Sequence, residues 1–408
     1  MLAMEQFTPP ERAELARRAS EIPERIRRAF RRIPGLAHSV IACGGNYNGI
    51  WLECNQEVYF LSRMFPEAAW GSTEVFMEFQ MRSGLIPHCV KFDPVKISFA
   101  QLQSVWPFAR SAFEIVKQTG RSEEDLRRVY DCAAAYDRWL AANRDHTGTG
   151  LVELYCGFDA GQDKCLRAMT GGMTEHCPGL YAGNMPDLPC MPLIGADLSA
   201  MRYGGLVALA EMAERLDLPG DAADWRSLAA GVKAKIHELL YDSEDEFFYD
   251  RGPSGFRKFR TIHITRMFLN RVVDRALFDR IYHRYFENEN EFLTPWPFPA
   301  VSVSDPIFEK DPVKNCWGRN VQALTLIRSL LWMDHYGRGG DLEKLMSRVL
   351  RHYLEHPEDE YTQEIDPFDG GVIRPNGKDC VNMMVFFLIS CRRLGITGGC
   401  YSSEQPLV

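Results

Sequence analysis

Two acidic segments about 200 residues apart carry the side chains best suited to proton chemistry. The first runs Gly157-Phe-Asp-Ala-Gly-Gln-Asp163 and follows Glu153-Leu-Tyr-Cys. Its carboxyls, Asp159 and Asp163, flank Gly161, and Phe158 lies beside them. Glycine lets the backbone turn sharply and approach a ligand. A carboxyl set among apolar rings resists ionisation, and so keeps the proton that a general acid must give. The same residues also fit a loop with an Asx turn leading into a helix cap. The second segment runs Glu360-Tyr-Thr-Gln-Glu364-Ile-Asp-Pro-Phe-Asp-Gly-Gly. Glu364 is its candidate base, and Asp366-Pro and Asp369-Gly-Gly read as turns that would fix it. A solvated acidic turn is the plainer alternative.

Other residues are suited to binding. Aromatic rings offer flat apolar faces to the C–H faces of a sugar, and Arg and Asn offer donors to its hydroxyls. Trp296 lies in a proline-rich run, and Trp317 and Arg319 lie in Asn315-Cys-Trp-Gly-Arg-Asn. Core packing and a surface charge explain these residues equally well. Trp51, Glu53 and Asn55 cluster in Gly49-Ile-Trp-Leu-Glu-Cys-Asn, and His88 closes Gly84-Leu-Ile-Pro-His. Trp51 and His88 could line a pocket, although a lone histidine is also an ordinary structural residue. The chain has no HExxH, paired cysteine and histidine zinc ligands, P-loop, GxGxxG ahead of a helix, or GxSxG elbow. Neither a metal nor an organic cofactor is expected.

The elements that must hold these side chains are helical. Amphipathic runs recur near 8–32, 53–64, 66–82, 101–118, 122–143, 197–216, 221–241, 256–270, 273–286, 317–336, 341–355 and 380–394. Ser122-Glu-Glu-Asp and Asp197-Leu-Ser-Ala read as helix starts; Leu218-Pro-Gly and Tyr336-Gly-Arg-Gly-Gly read as stops. Strand pattern is confined to short runs such as Glu246-Phe-Phe-Tyr. No repeat at a fixed 20–50-residue period and no Gly, Ser or Pro linker divides the chain. About twelve helices in one domain, residues 1–408, imply an all-α fold of six hairpins closed into an (α/α)6 toroid. Three segments, 144–196, 287–316 and 357–379, are poorly helical and rich in Gly, Pro, aromatics and acids, as functional loops are. Part of the first, 164–196, is expected to form a rim or lid; its Met169, Met173, Met185 and Met191 also suit adaptable packing.

Composition narrows the function. The chain has 408 residues, 46% of them hydrophobic, enough for a large core. A formal net charge of -8 argues against nucleic acid or anionic membrane as partner. No window reaches the length of a transmembrane helix, and the charged, helix-patterned start has no signal-peptide core. Twelve cysteines without a CxxC pair fit a reducing cytoplasm better than a disulfide framework. The sequence leaves the oligomeric state open, a homo-oligomer included.

In their order and spacing these segments resemble glycoside hydrolase family 63 and its clan relatives, the family 37 trehalases, over roughly residues 45–395. The resemblance implies an (α/α)6 toroid that hydrolyses glycosides with inversion. The clan's acid motif is similar to Asp159-Ala-Gly161-Gln-Asp163, which would make Asp163 the general acid and Asp159 a sugar contact. Its base region is similar to Gln363-Glu364-Ile-Asp-Pro, which would make Glu364 the general base. A Trp-Arg-Gly-Pro segment corresponds loosely to Trp317-Gly-Arg319. A Gly-Met-Ile-Pro-His segment is similar to Gly84-Leu-Ile-Pro-His88, and a Gln-Pro-Pro segment is echoed by Gln103-Ser-Val. The clan's Trp-Asp is replaced here by Trp51-Leu-Glu, so Glu53 or Asn55 would stand in for that Asp. A tryptophan usual after the base is missing near Asn382.

The mechanism so implied has Asp163 protonating the glycosidic oxygen and Glu364 activating a water on the opposite face. Such carboxyls stand roughly 6.5–9.5 Å apart in inverting enzymes. The implied partner is a small α-linked glucoside or mannoside, a disaccharide or a sugar–glycerate. Lys164 and Arg167 are candidates for holding a charged aglycone. Two other readings stay open. One is a sugar 2-epimerase on a similar toroid, using His88, His176 and His263. The other is a carbohydrate-binding toroid without catalysis.

Overall fold

The computed structural model describes residues 2–45, 47–311, 314–372 and 378–398; the side chains of Asn55 and Gln56 also lie outside what it describes. The loops 287–316 and 357–379 are therefore described in part. Thirteen α-helices occur among the described residues, and the strands are only two or three residues long. The fold class is all-α, as the periodicity requires.

In chain order the helices are α1 (Pro9–Arg27), α2 (Asn55–Leu61), α3 (Pro66–Glu78), α4 (Phe108–Thr119), α5 (Glu123–Asn143), α6 (Leu166–Met169) and α7 (Ala196–Arg215). They continue with α8 (Pro219–Leu240), α9 (Thr265–Leu269), α10 (Arg275–Ile281), α11 (Ala323–His335), α12 (Gly339–Glu355) and α13 (Val381–Arg393). The chain forms two compact units. One comprises Trp51–Asn55 and Thr73–Ile281; the other comprises Met1–Ile50, Gln56–Ser72 and Tyr282–Val408.

In the Trp51–Asn55/Thr73–Ile281 unit, α7 is the central element. It is buried along most of its length and packs on α4, α5, α8 and α9. The acidic start of α5 forms a capping box. Ser122 Oγ accepts from the Asp125 amide at 3.1 Å, and the Asp125 carboxylate accepts from the Ser122 amide at 3.3 Å. Glu123 and Glu124 add negative charge at the positive end of the helix dipole. Gly120 stops α4 at φ +64, a left-handed turn that glycine takes without steric cost.

In the other unit, α13 has the central role. Residues 381–391 are all buried, and α13 packs on α1, α11 and α12. The first residues of the chain run along α12: the Glu5 amide donates to Ser347 Oγ at 3.0 Å, and Arg351 pairs with Glu11 at 2.5 Å.

Four local readings need correction. The start of α7 is capped by Gly195, not Asp197, which lies inside the first turn with its carboxylate taken by Arg167 and Arg266. The predicted helix over 256–270 begins only at Thr265, because Gly255 takes φ +100 and pairs Gly255–Arg257 with Asp250–Gly252 as a hairpin. Residues 101–107 are non-helical, with Gln103 at φ +45, and Pro107 caps the start of α4. The loop 144–196 contains a helix, the four-residue α6, which raises the count above twelve. Replacing Ser122 with Ala should cost about 1 kcal/mol through loss of the cap, read as a lower unfolding midpoint in calorimetry; an unchanged midpoint would show that α5 does not depend on it.

Candidate active site

The acid segment is a closed loop in the α7-centred unit. Its ends are tied by the Cys165 amide donating to the Gly157 carbonyl at 3.0 Å. One buried ion pair holds it down. Arg144, at the end of α5, pairs with Asp159 at 2.6 Å, and both side chains are fully buried. The Asp159 carboxylate also accepts the amides of Leu102 and Tyr155, each at 2.8 Å. Arg144 in turn donates to the carbonyls of Ala182 at 2.6 Å and Glu153 at 2.9 Å, and its guanidinium lies 4.0 Å from the Tyr155 ring centre. Asp159 is thus wholly enclosed and its oxygens are engaged. That corrects the expected sugar contact: Asp159 is an anchor, and the adjacent residues are what it anchors.

Two residues further on, Gly161 has φ +62, and a Cβ there would stand 2.2 Å from Glu53 Oε2 and 2.7 Å from Val105. Only glycine fits, which explains why the loop can press against Glu53. Asp163 follows, half-buried, at the emerging end of this loop. Phe158 is half-buried and meets the His176 ring edge-on at 5.0 Å.

Around Glu53 the unit places Trp51, His88 and Gln103. Glu53 is 6% exposed and accepts from Gln103 Nε2 at 3.0 Å. Gln103, at φ +45, accepts from Gln101 Nε2 at 2.7 Å. Trp51 is half-buried; the side chain of Asn55 lies outside the described residues. His88 is 3% exposed, and burial first, then repulsion from His176 when that ring is protonated and from Lys91, lowers its pKa to about 3. It is therefore neutral at ordinary pH. Its carbonyl accepts the Leu52 amide at 2.8 Å, fixing the segment before Glu53.

A second buried charge cluster takes up Arg167, the residue expected to be available to a charged aglycone. Arg167 is 1% exposed and bonds Asp250 and Asp197; Arg266 bonds Asp197 as well. Arg167 is consequently not a candidate for an aglycone. Lys164 is exposed and pairs with Glu175 at 3.4 Å. His263 has both ring nitrogens committed, to Thr261 Oγ1 at 2.6 Å and the Phe248 carbonyl at 3.0 Å. Burial, with Arg167 nearby, lowers its pKa to about 4. Two of the three histidines that an epimerase would recruit are thus enclosed and neutral.

The base segment belongs to the α13-centred unit. Glu364 lies on a short strand opposite Gln322 and is 4% exposed. The turn after it is built as the Asp-Pro and Asp-Gly-Gly pattern suggests. Asp366 accepts the Phe368 amide at 2.8 Å and Asp369 accepts the Gly371 amide at 2.7 Å. Arg319 locks this turn: it pairs with Asp366 at 2.7 Å and lies 4.9 Å from the Phe368 ring centre. Trp296 has little open ring face. Arg348 sits 5.0 Å above it, His352 meets it edge-on at 5.0 Å, and a Cβ on Gly370 would come within 2.5 Å. Trp317 is 3% exposed. Trp296 and Arg319 are placed to support the turn rather than to present themselves.

An all-helical chain of this architecture has counterparts among known structures. The mannosylglycerate hydrolase of family 63 from Thermus thermophilus, solved with glucose, superposes with a TM-score of 0.70 at 16% identity, over 91% of this chain and 99% of that one. The neutral trehalase of Saccharomyces cerevisiae gives 0.64 at 15%, over 97% and 78%. At such identities the likeness is one of fold, that of the helical-toroid glycoside hydrolases. The profile of the mannosylglycerate hydrolase MGH1-like glycoside hydrolase domain matches residues 58–370. The chain belongs to this family and carries a glycoside hydrolase domain. An uncharacterized protein of Borreliella burgdorferi is 25% identical over 116 residues, so the chain matches 28% of itself and about a quarter, 24%, of that curated relative's length.

Replacing Arg144 with Met would leave the Asp159 carboxylate buried and unpaired. It should destabilise the protein by roughly 3–5 kcal/mol, measured by chemical denaturation. A loss below about 1 kcal/mol would mean that the pair is dispensable for the fold.

Proposed function

We propose that this chain is an inverting glycoside hydrolase of small α-linked glucosides or mannosides, with Asp163 as general acid and Glu364 as general base. The observation that carries the reading is the closed loop 157–165. Its anchor, Asp159, is fully buried and engaged, while Asp163 emerges half-buried a few residues on. A rigid loop that ends in one accessible carboxyl suits a group that must meet a glycosidic oxygen within hydrogen-bond reach.

In this mechanism the Asp163 carboxyl gives its proton to the glycosidic oxygen as the bond to the anomeric carbon breaks. Glu364 takes a proton from water, and the water oxygen bonds to that carbon from the opposite face. One water is consumed, and an α-glycoside releases a β-sugar. Glu53, braced by Gln103, is suited to accept sugar hydroxyls, and Trp51 to stack on the ring. The family and the fold both favour this reading. The Thermus thermophilus hydrolase has also been solved with Tris and D-glycerate, superposing at a TM-score of 0.68 and 17% identity over 92% of this chain and 99% of that one. A sugar–glycerate is accordingly the first substrate to try. The epimerase reading loses ground because His88 and His263 are buried and neutral, and the binding-only reading predicts no turnover.

The test is a proton NMR time course with glucosylglycerate, mannosylglycerate, trehalose, kojibiose, nigerose and maltose. Wild type should release the β-anomer first from at least one of them. Asp163→Asn and Glu364→Gln should each lower kcat by about 100-fold or more. Full activity in either variant would remove that residue from its role, and early α-anomer would rule out inversion.

A further inference from the structure

The acid-loop unit contains a hydrogen-bond chain whose direction is fixed at one end. Glu53 Oε1 accepts from Gln103 Nε2 at 3.0 Å, Gln103 Oε1 accepts from Gln101 Nε2 at 2.7 Å, and Gln101 Oε1 lies 2.6 Å from His176 Nδ1. With Glu53 ionised its carboxylate only accepts, and Gln103 turns its NH2 toward it. Its carbonyl oxygen then faces Gln101, whose NH2 is committed in turn. The last contact therefore requires a hydrogen on His176 Nδ1. Glu53, Gln101 and Gln103 are 6%, 2% and 3% exposed, so water does not readily take over these bonds.

The neutral ring so fixed carries its lone pair on Nε2, the reverse of the tautomer common in free histidine. His176 is half-buried, and Nε2 has no hydrogen-bond partner among the described residues. The ring is also held beside the acid loop, edge-on to Phe158 at 5.0 Å. The Gly157 and Phe158 amides donate to the carbonyls of Thr174 and Glu175 at 2.8 and 3.1 Å, and the Cys177 amide donates to Ala100 at 3.0 Å. Residues 174–177 are thus stitched to the acid loop on one side and to the glutamine segment on the other.

We infer that His176 is a specificity-determining residue: the Glu53–Gln103–Gln101 relay holds it as the Nδ1–H tautomer, so that Nε2 accepts a hydrogen bond from a substrate hydroxyl. This rests on the hydrolase reading for the identity of the substrate, but not for the relay. The relay also couples Glu53 to the far side of the loop, so one hydroxyl acceptor is tuned by the placement of another.

The experiment is nitrogen-15 NMR of histidine-labelled protein at pH 8, titrated with glucose, mannose and the glycosides named above, using the Asp163→Asn variant for glycosides that are turned over. His176 should show Nδ1–H in the free protein, and saturating sugar should move its Nε2 resonance upfield. Gln101→Met should shift the ring toward Nε2–H. In steady-state assays His176→Asn, which keeps a donor toward Gln101 but loses the outer acceptor, should raise KM roughly 3- to 10-fold with little change in kcat, and His176→Gln should restore part of the loss. An Nε2–H ring in the wild-type protein, an unaltered tautomer in Gln101→Met, or an Nε2 signal unmoved at saturation would each overturn the inference. A sugar-dependent Nε2 shift without hydrolysis of any glycoside would instead overturn the hydrolase reading and leave the His176 contact standing.

Discussion

The Arg144–Asp159 pair is the constraint on which the acid-loop unit depends. Both groups are removed from water, which by itself opposes folding by several kcal/mol per ion. The cost is offset only because the partners are complete. Asp159 accepts from the guanidinium and two amides, and Arg144 donates to two carbonyls besides. A hydrophobic pair of like volume could serve stability as well. What it would lack is direction. Through this one pair the end of α5, the strand-like residues 153–155, the loop and the segment near Ala182 are held in fixed register. Asp163 inherits its position from that register.

The same device recurs. Asp197 and Asp250 are held by Arg167 and Arg266, and Asp366 is held by Arg319 beside Glu364. Asp159 and Asp366 lie close in sequence to the proposed acid and base, and all four aspartates are held by arginine. The guanidinium is well suited, since its planar fork matches a carboxylate and remains charged when buried. These aspartates shape the backbone, and the carboxyls proposed for chemistry are other residues that this backbone carries.

Much of this was legible in the sequence. The helices with strong caps, α5 above all, followed from Ser122 and its acidic first turn. The turn after Glu364 followed from Asp366-Pro and Asp369-Gly-Gly. Motif order pointed to the family that the profile shows. Other features were hidden for physical reasons. From its motif Asp159 is expected to touch sugar, and only Arg144, fifteen positions upstream at an unpatterned helix end, marks it as a buried anchor. Arg167 reads as a surface cation until Asp197 and Asp250, from two distant segments, are brought to it. The hairpin at 250–257 was masked by a helical period that Gly255 overrides. The glutamine relay leaves no trace, because its members span residues 53 to 176 and are joined only by folding.

If the buried pair exists to place Asp163, removing it cleanly should cost rate and spare the fold. The most direct measurement replaces both partners at once, Arg144→Met with Asp159→Leu, and compares unfolding midpoint with kcat/KM on the best substrate. Apolar replacement of a whole buried pair commonly preserves stability, while a shift of about 1 Å in a catalytic group can cost on the order of 100-fold in rate. The prediction is a protein that still folds, its midpoint lowered because the Leu102 and Tyr155 amides and the Ala182 and Glu153 carbonyls lose their partners, with hydrolysis by the folded protein reduced by about 100-fold or more. A folded double variant that hydrolyses glycoside at close to the wild-type rate would contradict the claim.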